Sequence, residues 1–236
     1  MRSARNMFAF ALVSMIVLSS TAFAGTVTGT VKFEGAAPKL RPLKMDADPG
    51  CAKKHSSPQM PEMLVLGDGN TMANIFVRIK SVPGTHKTPS EPVVMDQEGC
   101  KYIPHVLGVM VGQKFLIKNS DGLLHNVHSL PKINQGFNRA MPAAVTEAEY
   151  SFDKEELFFK IKCDVHPWMN AYVGVMTHPF YDVTGTDGKF EIAGLPAGTY
   201  ELVAWHEKLG EKTATVTVGD SDTQTADFSM SVPAKK

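Results

Sequence analysis

Three residues of different donor chemistry stand within one short stretch, Cys163-Asp-Val-His166-Pro-Trp-Met169. A thiolate, an imidazole and a thioether at this spacing can face one ion if the stretch is a tight turn. The flanks read that way, because residues 157–162 and 171–176 both have strand character. A cysteine and two histidines in a plane, with a weak axial methionine, form a donor set that suits copper. The set still lacks one imidazole. His125 supplies it, in Asn119-Ser-Asp-Gly-Leu-Leu-His125-Asn126-Val127-His128, just after a second strand-like run at 114–119. Zinc fits less well, since a thioether is a poor zinc ligand. A binuclear copper centre would need a second cysteine, and the loop holds one.

The other candidate donors are weaker. His128 lies three positions after His125, so on a strand it points to the opposite face and reads as structural. His86, His105, His178 and His206 have no ligand-like neighbours and read as packed or surface side chains. His55, Met60 and Met63 share a polar stretch. Exposed thioethers can hold Cu(I), but a loop whose methionines cover apolar surface is the simpler reading.

The elements around the metal motif are strands. Helical periodicity is nearly absent after the first residues, while short alternating runs recur at 26–33, 74–80, 105–111, 189–192, 199–206, 212–218 and 224–230. Gly, Pro, Asp and Asn punctuate them, as an all-β sandwich requires. Residues 146–156 leave room for a helical turn. Residues 36–63 and the proline-rich 81–92 read as long loops, and a seam falls near 177–179.

Compartment and partners follow from composition. Arg2 and Arg5, an apolar run at 7–22 and the small-x-small end Ala22-Phe23-Ala24 have the layout of a signal peptide over 1–24. The protein is therefore expected to be periplasmic or secreted, with no membrane span after cleavage. Lys and Arg together equal Asp and Glu at 24 each, and the leader takes two of the basic ones. Near-neutrality argues against nucleic acid and against strong electrostatic steering. Three cysteines in an exported chain suggest one bridge and one special thiol. With Cys163 in the metal motif, Cys51 and Cys100 are the expected pair, a buried thiol at either being the alternative.

Residues 99–176 resemble a cupredoxin, and the short C-x-x-H-x-x-M spacing is similar to that of amicyanin. The resemblance rests on His125-Asn126-Val127-His128 and on Cys163-x-x-His166-Pro167-aromatic-Met169. It implies a two-sheet sandwich with one copper per chain at one end, held by His125, Cys163, His166 and Met169. It also implies that Asn126 ties the two ligand loops together. Asp164, where Ser or Thr is common, and Lys162, where an aromatic is common, depart from the pattern. Thr184-Gly-Thr-Asp-Gly188-Lys-Phe190-Glu-Ile192 and Leu195-Pro196-Ala-Gly198-Thr-Tyr200 resemble the carboxypeptidase regulatory-like, or transthyretin-like, sandwich module. That module usually opens with strands like 25–31 and 74–80, which here stand at the other end of the chain.

The expected architecture is all-β: a cupredoxin sandwich (91–176) inserted in a second Ig/transthyretin-like sandwich split between 25–90 and 177–236, the alternative being two domains in series with 26–80 belonging to the cupredoxin. The expected function is one-electron transfer by a type 1 (blue) copper protein, not an enzyme, with a c-type cytochrome or a dehydrogenase as redox partner. Copper storage or delivery is the first alternative and a copper redox enzyme the second. The outer edge of His166 is expected to face solvent inside an apolar partner patch of Pro167 and Trp168.

Overall fold

Alternation of apolar and polar residues decides most of the secondary structure. In the computed structural model, which describes residues 24–233, β1 (Gly25–Phe33) buries Val27, Val31 and Phe33 on one face and leaves Thr26, Thr28 and Thr30 half-covered on the other. The leader assigned to 1–24 lies, Ala24 apart, outside the described residues. After β1 comes a single helical turn, α1 (Pro49–Ala52), then β2 (Phe76–Ile79). Nine strands follow: β3 (Val93–Glu98), β4 (Lys101–Ile103), β5 (Val106–Met110), β6 (Phe115–Asn119), β7 (His125–Leu130), β8 (Asn138–Met141), β9 (Glu147–Tyr150), β10 (Glu156–Lys162) and β11 (Asn170–Met176). The last six are β12 (Tyr181–Val183), β13 (Lys189–Leu195), β14 (Gly198–His206), β15 (Gly210–Val218), β16 (Thr223–Thr225) and β17 (Phe228–Met230).

These strands form four sheets around two separate cores. The orders β4-β3-β6-β9 and β5-β11-β10-β7-β8 use only the middle strands. They enclose Met95, Phe115, Ile117, Val127, Phe159 and Val173. The other two sheets draw on both ends of the chain. In one, β1 pairs with β13, β16 and β17; in the other the order is β12-β2-β14-β15. Their core holds Val27, Ile75, Val77, Phe190, Leu202 and Phe228. The chain between β2 and β12 departs and returns side by side, because these two strands pair antiparallel with Arg78 opposite Tyr181.

One expectation fails. The stretch 146–156 holds no helical turn; β9 pairs antiparallel with β6, Phe115 opposite Tyr150. Its period is two, with Glu147 and Glu149 exposed between the half-buried Ala148 and Tyr150. The acidic residues hide a strand that packs only one side, where the Tyr150 ring stacks on Phe137 at 3.6 Å.

The two sandwiches meet through aromatic rings. Phe158 stacks on Trp205 at 3.8 Å, and Phe76 lies 5.1 Å from both Phe158 and Tyr181. Phe158 reaches this seam because β10 bulges between Glu156 and Phe159, with Phe158 held at φ +60°. A bulge re-aims a side chain, and holding a bulky residue in this region costs about 1–3 kcal/mol. The ring stack on Trp205 helps to offset that cost. Beside it the buried Nε2 of His105 sits 2.7 Å from Glu207 Oε1, a hydrogen bond across the seam.

Close approach at the seam depends on Gly108. A Cβ added there would stand 2.2 Å from the Tyr181 ring. Gly108→Ala must push Tyr181 off the β5 surface, and overpacking of this kind costs about 1–3 kcal/mol. Thermal unfolding should show a lower Tm for Gly108→Ala, and Tyr181→Ala should erase most of that difference. Equal Tm values for Gly108→Ala and wild type would mean that Tyr181 moves freely.

Candidate metal centre

The donor residues arrive from two neighbouring strand ends. β7 begins at His125, and its partner β10 ends at Lys162, one residue before Cys163. The two strands are antiparallel, with Lys162 opposite His128. The loop 163–169 then returns into β11. It is closed by its own backbone: Met169 N donates to His166 O at 2.9 Å, and Cys163 N donates to Met169 O at 3.1 Å.

That turn brings the side chains together. Ligand atoms of His125, Cys163 and His166 all lie within 4.8 Å of one another. The two Nδ1 atoms are 2.9 Å apart, and Cys163 Sγ is 3.9 Å from His166 Nδ1. Met169 packs in the same core cluster as Cys163. Exposure is 0% for His125, 3% for Cys163, 2% for His166 and 1% for Met169, so solvent has no direct access.

Both imidazoles are oriented by carboxylates on their far nitrogens. His125 Nε2 is 2.8 Å from Asp121 Oδ2, and His166 Nε2 is 2.9 Å from Asp48 Oδ2. A carboxylate accepts, so each Nε2 carries the proton and each Nδ1 turns its lone pair inward. Asp121 is itself fixed. It accepts from Gly99 N (2.8 Å) and Cys100 N (2.7 Å) and pairs with Lys54 Nζ at 3.0 Å.

Asn126 and Asp164 sit where the two loops meet. Asn126 Oδ1 accepts from Asp164 N at 2.6 Å and lies 3.4 Å from Cys163 Sγ. Asn126 Nδ2 donates to Asp164 Oδ2 at 3.0 Å. The Asp164 carboxylate also takes Lys162 Nζ (2.7 Å) and His128 Nδ1 (3.0 Å). Lys162, with Asn138, Asn126 and His128, holds Asp164 well below the usual carboxylate range.

The electrostatics favour ligation. Burial pushes the Cys163 thiol up, but the His125 ring and the surrounding N–H donors outweigh it and bring it down to about 7. Burial pushes His125 down, yet Asp121 and Cys163 raise it to about 8. For Asp121, burial works upward, while His125, the Cys100 N–H and Lys54 lower it to about 2. The two Nδ1 atoms face each other at 2.9 Å, so a cation placed between them would accept both lone pairs. Soft thiolate and thioether sulfur beside two imidazole nitrogens fit copper better than zinc, calcium or magnesium.

Several expectations change here. The outer edge of His166 is not open: Asp48 covers Nε2, and Cys51 Sγ lies 3.5 Å from the same atom. Segment 45–55, which carries no sequence signal for this role, folds back over the ligand loop. Pro167 is exposed, but Trp168 is half-buried. Its Nε1 donates to Cys100 O at 3.1 Å, and its ring lies 5.1 Å from that of His166. With His105, Tyr172 and Glu207 it lines a cavity of about 220 Å³ between the sandwiches. Exposed Val165 and Leu124 supply apolar surface at this end. Cys51 and Cys100 are bridged, with Cα atoms 5.6 Å apart, and Cys163 is free. His55 Nε2 is held 2.8 Å from Gly99 O, and of the two nearby methionines Met60 is exposed.

Comparison with known proteins gives partial likenesses. Residues 167–231 match the carboxypeptidase regulatory-like domain family, starting inside the ligand loop and running through β17. A methionine-to-alanine mutant of amicyanin in its Cu(I) form is 21% identical, over 42% of this chain and 98% of that one, with a TM-score of 0.33. A purple cupredoxin from Nitrosopumilus maritimus is 23% identical, over 35% of this chain and 98% of that one, with a TM-score of 0.30. A copper-containing nitrite reductase from Thermus scotoductus is 19% identical, over 42% of this chain and 25% of that one, with a TM-score of 0.34. No curated protein matches the sequence. No helix among the described residues is long and apolar enough to cross a membrane.

Metal binding at this centre must be linked to pH. Ligation needs neutral His125 and thiolate Cys163. His125 holds its proton up to about pH 8 and Cys163 up to about pH 7. Copper uptake should therefore release protons below pH 7, and apparent affinity should climb with pH and level off above about 8. Titration calorimetry in buffers of different ionisation heat measures the release. Equal release at about pH 6 and about pH 9 would contradict these assignments.

Proposed function

We propose that this protein is an exported type 1 (blue) copper protein that carries single electrons. The observation that carries the reading is the cluster of His125, Cys163 and His166, all buried, with ligand atoms within 4.8 Å of one another. Met169, buried on the same loop and in the same core cluster as Cys163, would be the fourth donor. When bound, copper supplies a one-electron couple between Cu(II) and Cu(I).

The chain's own groups do the rest. Asp121 and Asp48 set the imidazole tautomers and orientations. Asn126 ties the His125 loop to the Cys163 loop through Asp164. The apolar core around Cys163 and Met169 excludes water. Four donors at 3% exposure or less leave no route for a substrate to the ion, which favours a carrier over an enzyme. The redox partner, of the class of a c-type cytochrome or a dehydrogenase, would meet the exposed Pro167 and Val165 near the ligand loop. Small transient contacts suffice for such exchange.

The decisive test is the visible spectrum of the copper-loaded protein. Wild type should bind one copper and show an intense thiolate-to-Cu(II) band that Cys163→Ser abolishes. A blue Cys163→Ser protein, or a wild type that takes only zinc, would refute the assignment.

Met169 can be tested separately. A thioether favours Cu(I) over a harder amide oxygen, so Met169→Gln should lower the reduction potential while one copper stays bound. An unchanged potential in voltammetry would remove Met169 from the ligand set.

A further inference from the structure

The segment before and after α1 touches the candidate centre at several independent points. Asp48 stands at its entry. Its Oδ1 accepts from Gly50 N at 2.7 Å and Cys51 N at 3.4 Å, capping the turn, while its Oδ2 lies 2.9 Å from His166 Nε2. Cys51, fully buried, is bridged to Cys100. The Cys100 N–H then donates to Asp121, which holds His125. Lys54 pairs with that same Asp121, and His55 is bound to Gly99 O. Gly50 packs so closely on Leu123, two residues before His125, that an added Cβ would stand 3.1 Å from it. The disulfide thus joins the carboxylate behind one imidazole to the backbone that fixes the carboxylate behind the other.

We propose that residues 45–55 form a lid over the metal centre, latched by the Cys51–Cys100 bridge, in which Asp48 is a positioning residue for His166. The proposal rests on the copper reading. Asp48 acts through His166 in two ways. As a hydrogen-bond acceptor it keeps Nε2–H outward and Nδ1 toward the ion. As an anion behind an imidazole it strengthens the ring as a donor and favours the more highly charged Cu(II), which lowers the reduction potential. The lid also closes the one edge of His166 that points away from the core, leaving that residue 2% exposed. Chelators and redox partners must then work around or displace the lid. Its half-exposed Asp48 contact is where opening would begin.

Three variants of the full, copper-loaded chain separate these roles. Asp48→Ala removes both acceptor and charge. It should speed copper transfer to the Cu(I) chelator bathocuproine disulfonate about tenfold or more, the usual scale for losing a residue that supports a ligand, and raise the potential. Asp48→Asn keeps an acceptor and loses the charge, so the potential should rise while the transfer rate stays near wild type. It also keeps the question open to test if the alanine variant misfolds. Cys51→Ser/Cys100→Ser should speed transfer, because the latch is gone and Asp48 remains. An Asp48→Ala protein with unchanged transfer rate and potential would overturn the positioning role. An unchanged rate in the double serine variant would overturn the latch. A wild type that takes up no copper would overturn the reading beneath the proposal. The 15N shifts of His166 in metal-free protein would still test Asp48, since the Nε2–H tautomer should be held in wild type and lost in Asp48→Ala.

Discussion

Two imidazoles and a thiol buried side by side are costly unless every nitrogen and sulfur has a partner. Everything near the candidate centre answers that constraint. Asp121 and Asp48 take the outer nitrogens of His125 and His166. Backbone N–H groups of the loop take the sulfur, His166 N standing 3.4 Å from Cys163 Sγ. The carboxylates are partnered in turn, Asp121 by two backbone N–H groups and Lys54. What remains unshared are inward lone pairs, which is the condition for holding a cation.

The sandwich makes the arrangement rigid. β7 and β10 are antiparallel neighbours, so their ends deliver His125 and Cys163 to one place without a long loop. The turn from Cys163 to Met169 is only as long as its two backbone hydrogen bonds require. β11 then continues as a central strand between β10 and β5. A shift of the loop would therefore break sheet pairing as well as ligation. On the far face of the same sheet, the β10 bulge turns Phe158 away from the core and onto Trp205, so one strand positions the ligand loop and anchors the second sandwich.

Much of this could be read from residue types and spacing. The all-β class followed from period-two alternation, and Cys163, His166, Met169 and His125 followed from donor chemistry placed between strand-like runs. What could not be read depended on distance along the chain. Asp48 lies 118 residues before His166, and nothing in its own neighbourhood marks it as a partner. Asp121 was closer to legible, standing four residues before His125 in a turn. The nearest clue to the lid was the cysteine pairing: once Cys51 is placed beside Cys100, Asp48 must lie near whatever Cys100 touches. The expectation of an open His166 edge came from treating the ligand loop alone, without the segment that the bridge brings over it. β9 was missed for a different reason, since Glu147 and Glu149 carry its exposed face and resemble a helix-forming run.

If the site holds copper as proposed, donors fixed in this way would shift little when the ion changes charge. The carboxylates, the Asn126 bridge and the sheet hold the donors in place, and the donors are buried. Fixed donors in a dry pocket lower the cost of passing one electron, for the same reason that preorganised dipoles favour charge development in an enzyme. Burial of the donors and the carboxylates that anchor their rings are what the proposed electron carrier would need.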